Sequence, residues 1–345
     1  MYRTIEWKSG IVETIDQTQL PNKTKIIRLR NAPEVANAIR EMKIRGAPLI
    51  GVSAGYALAL TACHSRAKTS RELMVELERD GRILVATRPT AVNLRWAVNR
   101  IISKTKEAEN NHLRTFVVEE AKRIAEEDYQ ANLTMGKHGS TLIDDGDVVL
   151  THCNAGALAT SGYGSALGVI RAAVEAGKKI KVIASETRPL LQGARLTAYE
   201  LKKSRIPVWV VTDNAVGHLM QNHMISKAVV GADRILSTGH VFNKIGTYSI
   251  SVLAKAHQVP LYVAAPTSTL DMNGTLESVK IEEREANEIH FIGKKRITPN
   301  GVKVYNPAFD VTPPQNIEAI ITEKGVVFPP YTETLAKLVS SADVG

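Results

Sequence analysis

The sequence has 345 residues, of which 44% are hydrophobic, 23% charged and only 5% aromatic, and its formal net charge is +9 at pH 7. This length exceeds one ordinary hydrophobic core and predicts two domains, and the composition is that of a globular protein. Because no run of about eighteen apolar residues occurs, we expect no membrane-spanning segment. Because basic residues are interleaved with acidic ones and aromatic residues are scarce, we expect neither nucleic acid nor a membrane as a partner.

Short strand-like segments separated by turns open the chain and are followed by helical patterns. The strand-like segments are 3–7, 11–15 and 25–29. Helices are predicted to begin at Ala32-Pro33 and Ala47-Pro48, because proline suits the first helical turn. A further helix is expected from Thr90-Ala91, and a long amphipathic helix over 112–135 bridges to the rest of the chain. The pattern predicts an N-terminal capping domain of strands and helices over residues 1–120.

The remainder of the chain alternates strand and helix. Strands are predicted at 148–152, 180–185, 208–212, 228–230 and 261–265, with helices at 164–176, 192–203, 215–222 and 247–256. Repeated βα units with apolar strands indicate a parallel sheet that is covered on both faces. We therefore expect an α/β fold in which residues 121–345 form a Rossmann-like catalytic domain. Its sheet is doubly wound and mostly parallel, and the smaller N-terminal domain has short antiparallel strands and helices.

Polar residues follow the predicted strands, where open parallel sheets bind their ligands. Cys153 lies between a strand and a glycine-rich turn, and proximity to a helix N-terminus would lower its pKa and favour the thiolate. The alternative is a small buried packing residue. Asp233 follows Gly231-Ala232 at a strand end, where it is either an acid of the site, a helix cap or the partner of Arg234 in an ion pair.

Phosphate binding is a second theme of the sequence. Arg45 and Arg88 each precede a proline-bearing turn, where an arginine can bind phosphate with two nitrogens or remain a solvated charge. The segment 162–168 reads G-x-G-x-x-x-G, one residue too long for a dinucleotide fingerprint. We expect its backbone N–H groups to face a phosphate instead. A nicotinamide-dependent oxidoreductase is therefore an alternative that this spacing disfavours.

The two cysteines and the histidines give no sign of a metal. Cys63 and Cys153 are far apart and match no zinc or disulfide spacing. Cys63 lies in an apolar helical stretch, where a packing role is expected, and His152 is expected to be a strand-end residue rather than a ligand. The sequence therefore predicts no metal, no disulfide and a reduced, cytoplasmic compartment.

Several motifs occur in order along nearly the whole chain. They are D-Q-T-Q-L-P at 16–21, R-G-A-P at 45–48, R-P-T-A at 88–91, C-N-A-G at 153–156, Q-G-A-R at 192–195, G-A-D-R at 231–234 and N-K at 243–244. In this order they resemble the methylthioribose-1-phosphate isomerase family. That family belongs to the superfamily that includes the regulatory subunits of translation initiation factor 2B.

The resemblance implies an activity and a set of residues. It implies an aldose–ketose isomerase that converts 5-methylthioribose 1-phosphate to 5-methylthioribulose 1-phosphate in methionine salvage, without a cofactor and as a homodimer. It implies catalytic roles for Cys153 and Asp233. It also implies substrate contacts from seven residues, which are Arg45, Gly46, Ala47, Arg88, Gln192, Asn243 and Lys244.

Two alternative functions stay open. One is an isomerase of ribose 1,5-bisphosphate, which would use the same chemistry; the D-Q-x-x-L-P segment and the strand-bearing N-terminus favour the methylthio sugar. The other is a non-enzymatic subunit that binds an initiation factor. The presence of both Cys153 and Asp233 argues against the non-enzymatic subunit.

Overall fold

The computed structural model describes residues 3–88, 91–108 and 112–340. It opens with a three-stranded antiparallel sheet of β1 (Ile5–Lys8), β2 (Ile11–Ile15) and β3 (Ile26–Leu29). The strand predictions for this region are confirmed to within two residues. Pro89 and Thr90, the middle of the R-P-T-A motif and the expected start of a helix, lie outside the described residues.

Among the described residues, five α-helices complete the N-terminal part. They are α1 (Ala32–Arg40), α2 (Ala47–His64), α3 (Ser70–Val85), α4 (Val92–Glu107) and α5 (Leu113–Ser140). Although α2 is long and apolar enough to cross a membrane, 78% of it is buried inside the protein. It packs against the other four helices and is the core helix of this region.

The second part is built on a seven-stranded sheet, reached in chain order through alternating strands and helices. The elements are β4 (Val148–Thr151), α6 (Ala166–Glu175), β5 (Lys181–Ser185), α7 (Ala198–Lys203), β6 (Val208–Val211), α8 (Val216–Gln221), β7 (Lys227–Val230), β8 (Arg234–Leu236), β9 (Val241–Lys244), α9 (Thr247–Ala256) and β10 (Leu261–Ala264). The order along the sheet places β4 between β7 and β5, with the strands parallel to one another. The predicted α/β fold with a mostly parallel sheet is confirmed.

The end of the chain adds elements that the sequence did not predict. They are β11 (Leu270–Asp271), α10 (Asn287–His290), β12 (Phe291–Ile292), β13 (Lys295–Arg296), β14 (Phe309–Thr312), β15 (Ala319–Thr322), β16 (Gly325–Val327) and α11 (Tyr331–Ser340). β15 and the antiparallel β16 extend the main sheet beyond β10, whereas β11, β8, β9 and β14 form a separate four-stranded sheet. These strands have only two to four residues, so local periodicity gives little sign of them, and β11 and β14 pair only with strands that lie far away in sequence.

The N-terminal sheet is attached directly to the turn that follows β4. Thr4 Oγ1 donates to the carbonyl of Ala157 at 2.6 Å, and Gln17 Nε2 donates to the carbonyl of Leu158 at 2.7 Å. The helix α5 packs against both α2 and α6 and so runs between the two parts. The predicted domain boundary at residue 120 therefore lies inside one continuous helix.

A π-helical turn, Gly193–Thr197, precedes α7 and brings its first residue against β5. A Cβ at Gly193 would lie 1.7 Å from the carbonyl oxygen of Ser185, so only glycine fits. Gly193→Ala is expected to lower the free energy of unfolding by about 1–3 kcal/mol through overpacking, measured by urea denaturation.

The matched control is Gly55→Ala in the middle of α2. A Cβ there meets its nearest neighbour, Ile101, at an ordinary 3.6 Å. This variant should be neutral or slightly more stable, since alanine is the better helix former. Equal effects of the two substitutions would contradict the close approach at Gly193.

Candidate active site

One cavity lies beyond the carboxyl ends of β4, β5 and β7, and the start of α2 closes it. All nine site residues expected from the sequence line this cavity: Arg45, Gly46, Ala47, Arg88, Cys153, Gln192, Asp233, Asn243 and Lys244. Four of them, from Arg45 to Arg88, come from the N-terminal part and the other five from the sheet. The fold therefore brings together residues that are up to about two hundred positions apart in the chain.

Cys153 is held in an unusual backbone conformation at the end of β4. Its φ is 58°, in the left-handed region that non-glycine residues rarely adopt. Its N–H donates to Thr187 Oγ1 at 2.8 Å, and its carbonyl accepts from Thr197 Oγ1 at 2.6 Å. These two hydrogen bonds fix the backbone of Cys153 in the turn after β4, and this backbone conformation sets the direction of its side chain.

The thiol is not the preformed thiolate that the sequence suggested. Burial raises the pKa of Cys153 above its ordinary value, and the nearby charges of Arg45 and Lys244 offset this only in part. The expectation of a lowered pKa was wrong because burial outweighs these charges, and α6, whose N-terminus was to favour the thiolate, begins only at Ala166. The neutral thiol is therefore the form that this environment favours.

Asp233 lies in the same cavity and is also biased toward its neutral form. Burial is the main cause of its raised pKa, and the carboxylate of Glu282 adds to it, while Lys244 and Arg88 act in the opposite direction. Its backbone N–H donates to the carbonyl of Phe242 at 2.9 Å, which ties it to β9. A raised pKa makes a carboxylate a stronger base when it is ionised.

Three cationic side chains line the same cavity, and each has a partner within the protein. Arg45 donates to Asn154 Oδ1 and to the Asn154 carbonyl, both at 2.7 Å. Arg88 forms an ion pair with Glu282 at 3.3 Å. Lys244 Nζ donates to a backbone carbonyl at 3.0 Å and lies 4.4 Å from the centre of the Phe309 ring. Three cations beside one carboxylate and one thiol suit a dianionic ligand.

Two buried polar atoms in this wall lack a partner among the described residues. They are Gln192 Oε1 and Arg88 Nε. Buried polar groups are nearly always hydrogen-bonded, so atoms left open at a cavity are the ones that a ligand would satisfy. Gln192 can accept from a hydroxyl group, and Arg88 can donate to an anionic oxygen.

The glycine-rich segment 162–168 does not form the phosphate cradle that was expected. Of this segment, only Ser165 lines the cavity. A Cβ at Gly164 would lie 2.5 Å from the backbone of Gly156, and these two glycines form an isolated β-bridge. The glycine at 164 therefore allows two turns to pack closely, rather than a phosphate to bind.

Sequence reasoning missed the groups that support the site. Glu282 and Glu200 carry no motif signal of their own, although the first pairs with Arg88 and the second lies under the turn after Cys153. His152 was expected to be a strand-end residue, and its ring is engaged within the protein: Nε2 lies 2.8 Å from the carbonyl of Ile245 and Nδ1 lies 2.6 Å from Ser185 Oγ. Since a carbonyl only accepts, Nε2 carries the hydrogen, and burial lowers the pKa of this neutral ring.

Cys63 was expected to be a packing residue, but its side chain is exposed at the end of α2. Within the described ranges, no group of three or more histidine, cysteine, aspartate or glutamate side chains is arranged to hold a metal ion.

Comparison with known proteins identifies one family and several relatives that share a name. The family described as the initiation factor 2 subunit family matches residues 43–329. The methylthioribose-1-phosphate isomerase of Pelotomaculum thermopropionicum is 50% identical over 344 residues, which cover 98% of this chain and 94% of that protein. The protein of the same name from Thermotoga neapolitana is 51% identical over 341 residues, covering 98% of each chain.

Two solved structures share the fold over the whole chain. The 5-methylthioribose 1-phosphate isomerase from Pyrococcus horikoshii superposes with a TM-score of 0.91 at 44% identity, covering 99% of this chain and 96% of that one. A chain described as translation initiation factor eIF-2B, subunit delta, from A. fulgidus gives a TM-score of 0.87 at 48% identity, with 99% and 100% covered.

Proposed function

The chain belongs to the initiation factor 2 subunit family. Within this family, we propose that it is an aldose–ketose isomerase that converts 5-methylthioribose 1-phosphate to 5-methylthioribulose 1-phosphate. The observation that carries the proposal is the meeting of Cys153 and Asp233 with three cations in one cavity. Full-length relatives of about 50% identity that bear the isomerase name support the choice of sugar. Methionine salvage is the metabolic setting that goes with this reaction.

The substrate cannot open spontaneously to an aldehyde, because phosphate is attached to its anomeric oxygen. We assign the neutral Cys153 thiol to donate a proton to the ring oxygen as the bond from that oxygen to C1 breaks. The Asp233 carboxylate takes the proton of the C2 hydroxyl, and the hydrogen on C2 passes to C1 as a hydride. The products are a C2 ketone and a CH₂ group that carries the phosphate, so atoms and electrons balance.

The raised pKa values support this division of roles. A raised pKa keeps the Cys153 thiol protonated and therefore able to act as an acid, and it makes the ionised Asp233 a better base. The competing route moves a proton from C2 to C1 through an enediolate and needs a thiolate base. Burial disfavours that thiolate.

The phosphate supplies binding energy for orientation without itself reacting. We assign Arg45, Arg88 and Lys244 to the phosphate, with Gly46 and Ala47 offering backbone N–H groups at the start of α2. Gln192 and Asn243 are assigned to the sugar hydroxyls, and the open Gln192 Oε1 supports this role.

The test is to incubate the purified protein with 5-methylthioribose 1-phosphate in deuterated water, with no added metal or nicotinamide, and to follow the sugar by NMR. Formation of the ketose phosphate without deuterium at C1 is the expected result. Deuterium at C1 would replace the hydride route by proton transfer. No ketose at all would overturn the function.

Ribose 1,5-bisphosphate serves as the comparison substrate in the same assay. A higher kcat/KM for the bisphosphate would reassign the sugar. If the protein converts neither sugar and binds an initiation factor, it is a non-enzymatic regulatory subunit instead.

We also propose a homodimer in a reduced, cytoplasmic setting. The edge strand β6 exposes Trp209 and Val210, and α9 exposes Tyr248 and Val252. An apolar edge strand open to solvent favours pairing with another chain. Two free cysteines are compatible with a reducing compartment.

A further inference from the structure

A buried carboxylate that the proposed chemistry does not use lies under the turn after Cys153. Glu200, on α7, is 1% exposed. Its oxygens accept from four donors within 3.1 Å: Asn154 Nδ2, Arg171 and the backbone N–H groups of Ala157 and Leu158. These contacts occupy both oxygens, so Glu200 has no capacity left to bind substrate.

One of these contacts leads into the cavity. Asn154 donates its amide hydrogen to Glu200 at 2.9 Å, and its Oδ1 accepts from Arg45 at 2.7 Å on the other side. Because a carboxylate only accepts, Glu200 fixes the amide nitrogen on its own side and the amide oxygen toward Arg45. The orientation of the guanidinium thus depends on a carboxylate that it does not touch.

The turn itself is shaped around the same group. A Cβ at Gly156 would lie 2.4 Å from Glu200 Oε1, so the C-N-A-G turn passes directly over the carboxylate. Burial lowers the pKa of Arg45, and the negative charge of Glu200 is one of the charges that act against this effect. Glu200 therefore acts on Arg45 through its charge as well as through Asn154.

We propose that Glu200 is a positioning residue for the isomerase reaction: acting through Asn154, it holds Arg45 in the orientation that binds the phosphate of the substrate. This inference rests on the proposed function for its kinetic consequence. Its consequence for binding, a change in the affinity of the cavity for phosphate, can be measured whether or not the protein catalyses the proposed reaction.

The test is a double-mutant cycle of Glu200→Asp and Arg45→Lys. Glu200→Asp keeps the charge but retracts the carboxylate from Asn154. It is expected to raise KM and the Kd for inorganic phosphate about tenfold, within the range found for coupled neighbours, while kcat changes less than twofold. If Glu200 acts through Arg45, Glu200→Asp has no further effect on either constant when Arg45→Lys is already present.

Glu120→Asp is the matched control. Glu120 is likewise 1% exposed and pairs with Arg100, Lys104 and Arg123, but it lies on α5 outside the cavity lining. This variant should lose stability and keep both KM and the phosphate Kd. Additive effects in the cycle, or an unchanged phosphate Kd in folded Glu200→Asp, would overturn the inference.

A second variant guards against misfolding of Glu200→Asp. Asn154→Ala removes the link and leaves the buried ion pair of Glu200 with Arg171 in place. The same rise in phosphate Kd is expected, and its absence would also overturn the inference. If the wild type turns over no sugar phosphate, the proposed function fails, while the phosphate measurements still decide the role of Glu200.

Discussion

Cys153→Ser is expected to lower kcat for the conversion of 5-methylthioribose 1-phosphate by about 10²–10⁴-fold, the usual contribution of a positioned acid or base. A serine hydroxyl has nearly the shape of the thiol but is a far weaker acid, so it protonates the ring oxygen poorly. KM should change little, because the phosphate is assigned to Arg45, Arg88 and Lys244, which this substitution leaves in place. Steady-state kinetics followed by NMR measures both constants.

The control for this substitution is Cys63→Ser. Cys63 is exposed near the end of α2, about 24 Å along the helix axis from Ala47 at the cavity. Its replacement should leave kcat and KM at the wild-type values. If the Cys153→Ser enzyme keeps the wild-type kcat, Cys153 takes no part in the reaction and is a packing residue.

Asp233→Asn is expected to cause a loss of similar size and to remove the acid limb of the pH profile of kcat/KM. In the proposed reaction, Asp233 must be ionised to accept the C2 hydroxyl proton, so activity is expected to fall as pH decreases through its pKa. Burial raises this pKa, and the midpoint of the limb therefore lies above the ordinary aspartate value of about 3.9. Asparagine cannot take up the proton at any pH.

Glu282→Gln separates this effect from a general disturbance of the cavity. The carboxylate of Glu282 contributes to the raised pKa of Asp233, so its neutralisation should move the acid limb to lower pH without removing it. A limb that persists in Asp233→Asn, or one that does not move in Glu282→Gln, would assign the titration to a different group.

The sequence by itself determined the larger elements and the motif residues. The βα alternation after residue 148 gave the parallel sheet, because a buried strand and an amphipathic helix each have a local pattern. The positions after β4 and β7 identified Cys153 and Asp233 as candidates, because ligands bind where parallel strands end. The roles of these residues came from the resemblance, and they remain proposals.

Only the tertiary structure decided which groups act on one another. Local pattern suggested a thiolate at Cys153, whereas burial in a cavity closed by a second part of the chain raises its pKa. The link from Glu200 through Asn154 to Arg45 joins three segments with no shared periodicity. The pKa of a group and the orientation of an arginine depend on desolvation and on contacts between distant segments, and these exist only once the chain has folded.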